Sequence, residues 1–233
     1  MFYLSYIEKC KGEDKFFAQY GTFNHIVHSK VELGELSEDD AVVYYISNFF
    51  DSVNARPPNE KIRSSYFSDG LNYWKQYHVP EEVVGVEKKV KFDIEGKKFV
   101  GFVDLIERTE SGLNIVDHKS KTFKAPAKRP RKKETQASKE IDNYFKQLYL
   151  YSIPITKLYE TPSALILNSF RNGSRIEREY SKEELEKAKR WALDTISQIQ
   201  TTENWEQNYN EFQCYNICSF SNYCDLFQFY HSK

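Results

Sequence analysis

Three residues near the middle of the chain carry side chains that could do chemistry together. Asp104 and Asp117 stand in two apolar runs, FVGFVDLI and LNIVDHKSK, both patterned like buried β-strands, and Lys119 follows Asp117 by two positions. Side chains alternate across a strand, so Asp117 and Lys119 share one face while His118 points to the other. A hairpin closed over Glu107 to Gly112, with Ile106 opposite Leu113, places Asp104 opposite Ile115 and diagonal to Asp117. Both carboxylates then face the same side, with Cα atoms about 7 to 8 Å apart. A one-residue slip would send them to opposite faces.

Two carboxylates converging to about 4 Å repel each other by roughly 4 kcal/mol at an effective dielectric of 20. A proton or a positive charge must therefore sit between them. Lys119 alone would make a structural ion pair. A divalent cation is the other solution, because hard oxygen ligands select Mg²⁺ or Mn²⁺ over softer metals. Lys119 would then orient or activate a water and stabilise the charge that develops on a phosphate under attack. Spacing alone leaves both solutions open. Gln147 and Tyr151, in KQLYLYS, are four apart and share a helix face. His25, in YGTFNHIVHSK, could supply a nitrogen ligand, with His28 beside it as a competitor for the role. Glu87 opens the strand region, where its pattern is also that of an ordinary surface glutamate.

The elements that must position these groups can be read from periodicity. Residues 1–80 are expected to be mainly helical, with apolar residues at three- and four-residue spacing in FNHIVHSKVELGEL and DDAVVYYISNFFDSV, interrupted at Pro57 and Pro58. From Val83 to Lys119 the pattern is a β-meander: VVGVEKKVKFDI, a turn at EGKK, FVGFVDLIE, a turn at RTESG, and LNIVDHKSK. EIDNYFKQLYLYSIPI then has helical periodicity, SALILNSFR reads as a further strand, and NGSR as a turn into RIEREY. SKEELEKAKRWALDTISQIQ opens a polar helix with a capping-box pattern, Ser181 followed by Glu184. A chain of 233 residues needs no second core, so we read one domain over 1–233, divided into a helical region (1–80), a core bearing the chemistry (81–170), and a helix with a cysteine-bearing tail (171–233).

Composition narrows the class. No apolar run approaches the roughly 20 residues that span a bilayer, and the N-terminus lacks the pattern of a secretory signal. A cytoplasmic, reducing setting is expected, where four cysteines favour metal, cluster or core roles over disulfides. The net charge of −1 excludes little, but from Lys119 to Lys139 the chain carries nine Lys or Arg against one Glu. That run, with its two prolines, reads as a mobile loop, either simply solvated or drawing in phosphates. Seventeen Tyr and seventeen Phe supply rings that could stack on bases, although most must fill the core.

Taken in order along the chain, these pieces resemble the RecB-like branch of the PD-(D/E)XK nuclease superfamily, which includes the nuclease domains of RecB and AddB, CRISPR-associated RecB-like exonucleases and many phage exonucleases. YGTFNH is similar to the family's glycine-then-histidine helix, and VEKKVKFDIEGKKFVGFVDLI to its glutamate strand and G-x-x-D strand. NIVDHKSK resembles the central D-x-K strand, and QLYLY the Q-x-x-x-Y helix. The resemblance spans nearly the whole chain. It implies a restriction-endonuclease-like α/β (α+β) fold, a mixed central sheet flanked by helices with the site where the sheet splays at Asp104 and Asp117. It also implies that His25, Asp104, Asp117 and the backbone carbonyl of His118 bind the metal. Lys119 would contact the attacking water and scissile phosphate, Gln147 and Tyr151 would orient the lysine and substrate strand, and Glu87 would contribute secondarily.

The tail CYNICSFSNYC, spaced C-x3-C-x5-C, resembles the cysteine cluster many of these nucleases use for a 4Fe-4S centre, through Cys214, Cys218 and Cys224. Thiolates at this spacing also suit Zn²⁺. The family's fourth ligand lies in a Cys-Pro near the start, whereas Cys10 is this chain's only N-terminal cysteine, at a position that fits poorly. The function implied is a metal-dependent DNA exonuclease acting on single-stranded DNA or duplex ends, with one or two metal ions, in recombination, repair, phage replication or CRISPR adaptation, with a helicase or recombination partner. Two rivals remain at this stage: a non-catalytic nucleic-acid-binding module on the same fold, and a protein whose iron–sulfur or zinc cluster is the functional centre.

Overall fold

The structure is a computed structural model and describes residues 3–123 and 135–231. The N-terminal third forms three helices, α1 (Phe16–Glu32), α2 (Glu38–Ser52) and α3 (Glu60–Trp74). Phe16, Tyr20, Phe23, Val27 and Val31 make one stripe along α1, spaced by three and four residues, and pack against Tyr45 and Phe49 of α2 and Tyr73 and Trp74 of α3. Ser37 and Asn59 cap α2 and α3 by accepting the backbone N–H groups of Asp40 and Ile62. The helices approach closely at Gly70, where a Cβ would fall 2.2 Å from the Tyr45 hydroxyl.

Five strands follow in the spatial order β1-β2-β3-β4-β5: β1 (Glu82–Ile94), β2 (Lys97–Thr109), β3 (Gly112–Lys119), β4 (Ala164–Ser169) and β5 (Arg175–Glu179). The first three form the expected meander. Glu95 and Gly96 turn β1 into β2 with positive φ at both positions, the mirror-image turn that suits strand twist. β3 runs parallel to β4, and the crossover between them is α4 (Gln136–Leu158). One face of the sheet, with Leu113, Ile115, Leu165 and Leu167, is covered by α4 and by α5 (Lys182–Thr201). On the other face His118 and Asn168 reach α1 and α3. Buried on both sides, β3 and β4 read as nearly continuous apolar runs.

Two sequence expectations need correction. The β2–β3 turn is tighter than the loop from Glu107 to Gly112: Thr109 pairs with Gly112, and Ile106 lies opposite Ile115 rather than Leu113. The shift is an even number of residues, so it leaves the paired side chains on their expected faces, and one residue past the ladder it sets Asp104 level with Asp117. The basic run from Lys119 to Lys139 is not loop throughout, because α4 already begins at Gln136, capped reciprocally by Thr135 and Ser138. The middle of that run, 124–134, lies outside the described residues. At α5, Ser181 accepts from the Glu184 backbone N–H, the first half of the anticipated capping box.

The tail folds as two short helices, α6 (Glu211–Asn216) and α7 (Asp225–His231), and meets the start of the chain. Glu13 donates its backbone N–H to the Ser219 carbonyl at 2.8 Å and accepts from the Asn222 amide at 2.7 Å. Gly12 makes this contact possible, since a Cβ there would lie 2.9 Å from Ser219 Cβ.

Candidate active site

The β2–β3 ladder is paired from Thr109/Gly112 up to Leu105/Val116, one residue short of Asp104 and Asp117. Beyond it the strands part, and the Asp104 carboxylate takes over a backbone role by accepting the His118 N–H at 2.8 Å. This fixes one oxygen of Asp104 at the mouth of the opening. β2 meanwhile stays paired to β1 on its other side, with Val86 opposite Leu105 and Lys88 opposite Val103, which brackets Glu87 against Asp104. Glu87 has φ of 46°, in the left-handed region that a residue with a Cβ rarely adopts. Such a conformation costs of order 1–3 kcal/mol and is concentrated at functional positions.

His25, on α1, completes this group. Its Nδ1 lies 3.6 Å from Asp104 Oδ2 and 3.7 Å from Glu87 Oε1. All three potential ligand atoms fall within 4.8 Å of one another. Glu87, expected only as a secondary contributor, is thus brought as close to His25 as Asp104 is.

Asp117 and Lys119 face α4, as alternation requires. Lys119 Nζ sits 2.5 Å from Asp117 Oδ2 and 5.2 Å from the centroid of the Tyr144 ring. This largely buried ion pair commits Asp117 Oδ2 to the lysine. Burial pushes the Asp117 carboxyl above the usual carboxylate range; Lys119 opposes that push and the Asp104 charge adds to it. Burial works to lower the Lys119 pKa, but the carboxylates of Asp117 and Asp104 outweigh it and hold the amine above its ordinary value. Lys119 is therefore a fixed positive charge at neutral pH.

Gln147 and Tyr151 lie on the face of α4 turned to the strands, joined by a 2.7 Å hydrogen bond from the Gln147 amide to the Tyr151 hydroxyl. The Tyr151 ring rests directly on Gly101: a Cβ at that position would come 2.4 Å from Cε1. The glycine of the G-x-x-D pattern thus has a physical reason, which is to let an α4 ring pack against β2 three residues before Asp104.

Behind the site lies a network that the sequence reading missed. His118, on the opposite face of β3, meets Glu32 of α1 at 2.9 Å through Nε2. The same Glu32 oxygen contacts His28 Nδ1 at 3.2 Å and accepts from the Tyr77 hydroxyl at 2.7 Å. Asn168 stands 2.9 Å from His118 Nδ1 and donates to the Tyr73 hydroxyl at 2.8 Å. Burial works to lower the His118 pKa, but the Glu32 carboxylate outweighs it and holds the imidazole above its ordinary value. His28, Glu32 and His118 are close enough to suggest a second metal site. Ring geometry argues against it. The two imidazoles stack at 3.7 Å with planes only 12° apart, so no point between them lies along the in-plane lone pairs of both. The network instead ties α1, which carries His25, to β3, which carries Asp117 and Lys119. Its one sequence signal was a glutamate four residues after a histidine on the apolar side of α1.

The group of His25, Glu87 and Asp104 does fit a divalent cation. Two carboxylates and an imidazole are a donor set for Mg²⁺ or Mn²⁺, and the Asp117 carboxylate, level with Asp104 across the opening, is a further hard donor. The family model of the PD-(D/E)XK nuclease superfamily matches residues 1–225. The chain belongs to the PD-(D/E)XK nuclease superfamily. Its mixed five-stranded sheet flanked by helices is the restriction-endonuclease-like arrangement of that superfamily, whose members are metal-dependent nucleases. No curated protein matches the chain. A solved structure described as "Crystal structure of SSO0001" aligns over 96% of this chain and 92% of that one, at 16% identity and a TM-score of 0.33, a likeness too slight to carry an argument.

The cysteines lie outside this site. Cys214 is buried, and Cys10, Cys218 and Cys224 are half-buried, all as free thiols. Among the described residues neither group with metal-ligand proximity includes a cysteine. The contacts of Gly12 and Glu13 with Ser219 and Asn222 nevertheless carry the Cys10 segment to the Cys218–Cys224 segment. Among the described residues no helix is long and apolar enough to cross a membrane.

Proposed function

We infer that this superfamily member is a DNA exonuclease of the RecB-like branch, hydrolysing phosphodiesters of single-stranded DNA or duplex ends with Mg²⁺ or Mn²⁺. The observation that carries this reading is the opening between β2 and β3, with the His25–Glu87–Asp104 donors on one side and the Asp117–Lys119 pair on the other. His25, Asp104 and Asp117 are the residues we assign to the cation, with Glu87 joining them on the strength of its position. When bound, the cation would polarise a phosphate oxygen and make a water acidic enough to attack at neutral pH.

The remaining steps fall to the chain's own groups. Lys119, two residues from Asp117 and on the same face, donates hydrogen bonds to a phosphate oxygen as negative charge grows there. Asp117 keeps that amine in place. Gln147 and Tyr151, locked to each other, hold the substrate strand against the opening. A non-catalytic scaffold would have no use for a strained glutamate held against a second carboxylate and an imidazole, which favours the enzymatic reading.

We further assign Cys10, Cys214, Cys218 and Cys224 to a 4Fe-4S centre, with Zn²⁺ as the alternative, tying the two ends of the chain outside the chemistry. Iron and zinc content of the purified protein distinguishes the two. Exonuclease action is tested by giving the protein linear and circular single-stranded DNA of one sequence with Mn²⁺. Digestion of the linear form alone supports the reading, and equal cutting of the circle replaces it with an endonuclease.

A further inference from the structure

The outer side of the β1–β2 hairpin carries an aromatic and cationic stripe that neither the core nor the cation group uses. Val100 and Phe102 are 62% and 52% exposed, while their neighbours Gly101 and Val103 are buried. Val100 and Phe102 therefore lie on the side of β2 opposite Gly101 and Val103, and Asp104 follows Phe102 by two residues. The partners of Val100 and Phe102 on β1 are Lys91 and Lys89, and the next pair outward is Asp93 with Lys98. Lys89 Nζ lies 5.6 Å from the Phe102 ring centroid. Lys89, Lys91 and Lys98 are exposed and form no ion pair among the described residues.

We propose that this stripe is the track for a single nucleic-acid strand, with Phe102 stacking under a base and Lys89 and Lys91 holding the adjoining phosphates as the strand enters the Glu87–Asp104 opening. The proposal deepens the nuclease reading and rests on it for the direction of travel. Each two-residue step along the ladder advances about 7 Å, close to the length of one stretched nucleotide. Phe102 is two residues from Asp104 and Lys89 two residues from Glu87, so the stripe ends where the left-handed Glu87 breaks the pleat beside the cation group. A ring accompanied by cations that are free of carboxylate partners is the combination that binds single strands without regard to sequence. A duplex would offer no unstacked base to Phe102. The bland use of lysines on an edge strand is to discourage strand pairing, and that use needs neither the exposed ring nor the proximity to Asp104.

The test is equilibrium binding of a fluorescent oligo(dT), oligo(U) and an abasic oligomer of equal length, all in EDTA so that nothing is cut. Phe102→Ala should weaken binding to a base-bearing oligomer by about tenfold, Phe102→Trp should restore it, and the abasic oligomer should bind wild type and Phe102→Ala alike. Oligo(dT) and oligo(U) should both respond, because stacking uses the face of the base whichever sugar carries it. Lys89→Ala and Lys91→Ala should each lower the salt slope of binding by about 0.7. Phe102→Ala binding every oligomer within twofold of wild type overturns the proposal, as does an equal loss on the abasic oligomer. Adding Mn²⁺ to the same preparations reads the nuclease assignment separately. Cutting that is indifferent to Phe102 overturns the track alone, and Phe102-dependent binding without cutting upholds the track and overturns the nuclease.

Discussion

Replacing Gly101 with alanine tests whether the seat of Tyr151 on β2 sets the geometry of the site. The added Cβ would fall 2.4 Å from Tyr151 Cε1 and 2.9 Å from both Cζ and the hydroxyl oxygen. Carbon atoms in contact rest about 3.5–4.0 Å apart, so the ring must withdraw by about 1 Å or more. It cannot withdraw alone, because its hydroxyl is bonded to Gln147 and its helix packs on the sheet. Overpacking of this kind costs about 1–3 kcal/mol, and a misplacement of about 1 Å at a reacting centre costs on the order of 10²-fold in rate. The assay is single-turnover cleavage of labelled single-stranded DNA at saturating Mn²⁺, with a melting curve of each variant. Gly101→Ala should lose about 10²-fold in rate, whereas the same substitution added to Tyr151→Ala should cost little more, the clashing ring being gone. A Gly101→Ala enzyme within twofold of wild type, or one that loses equally in both backgrounds, would refute the steric reasoning.

Glu32→Gln should destabilise the protein by about 3–5 kcal/mol in urea unfolding, because the Glu32 oxygen it alters faces His118, His28 and Tyr77 in a buried setting. His28 makes stability depend on pH: burial, aided by the neighbouring His118 charge, lowers its pKa from 6.5 to about 3. The unfolded chain takes up that proton near 6.5 and the folded chain only near 3, so stability falls as pH drops through this window, by about 1.4 kcal/mol per unit. His28→Phe should flatten that limb of the curve in a titration of unfolding free energy. Lys119→Ala should reduce the maximal cleavage rate by about 10²–10³-fold, while DNA binding in EDTA, set mainly by other cations, changes much less.

The face assignments of Asp117, Lys119 and His118 were legible because strand alternation has a period of two, and an error of two residues in the hairpin register left them intact. The length of that hairpin was not legible, since Glu107 and Arg108 look like turn residues until Arg175 pairs with Glu107 and Asn114 donates to it across the sheet. The α4 face was equally plain, as Gln147 and Tyr151 sit one turn apart. Glu87 was underrated because nothing local marks a glutamate that will take a left-handed conformation beside His25. The Glu32–His118 network was invisible for a related reason: it joins residues 86 positions apart, and only the fold brings them together.

The central claim is that a cation held at Asp104, beside Asp117 and Lys119, is what makes this protein a nuclease. Cleavage of end-labelled DNA in Mg²⁺ or Mn²⁺, repeated with EDTA and with Asp104→Asn, tests it most directly. The account predicts cutting by the wild type in either metal, none in EDTA, and none by the variant even though it folds and binds DNA. Cutting that survives chelation, or an Asp104→Asn protein as active as wild type, would contradict it.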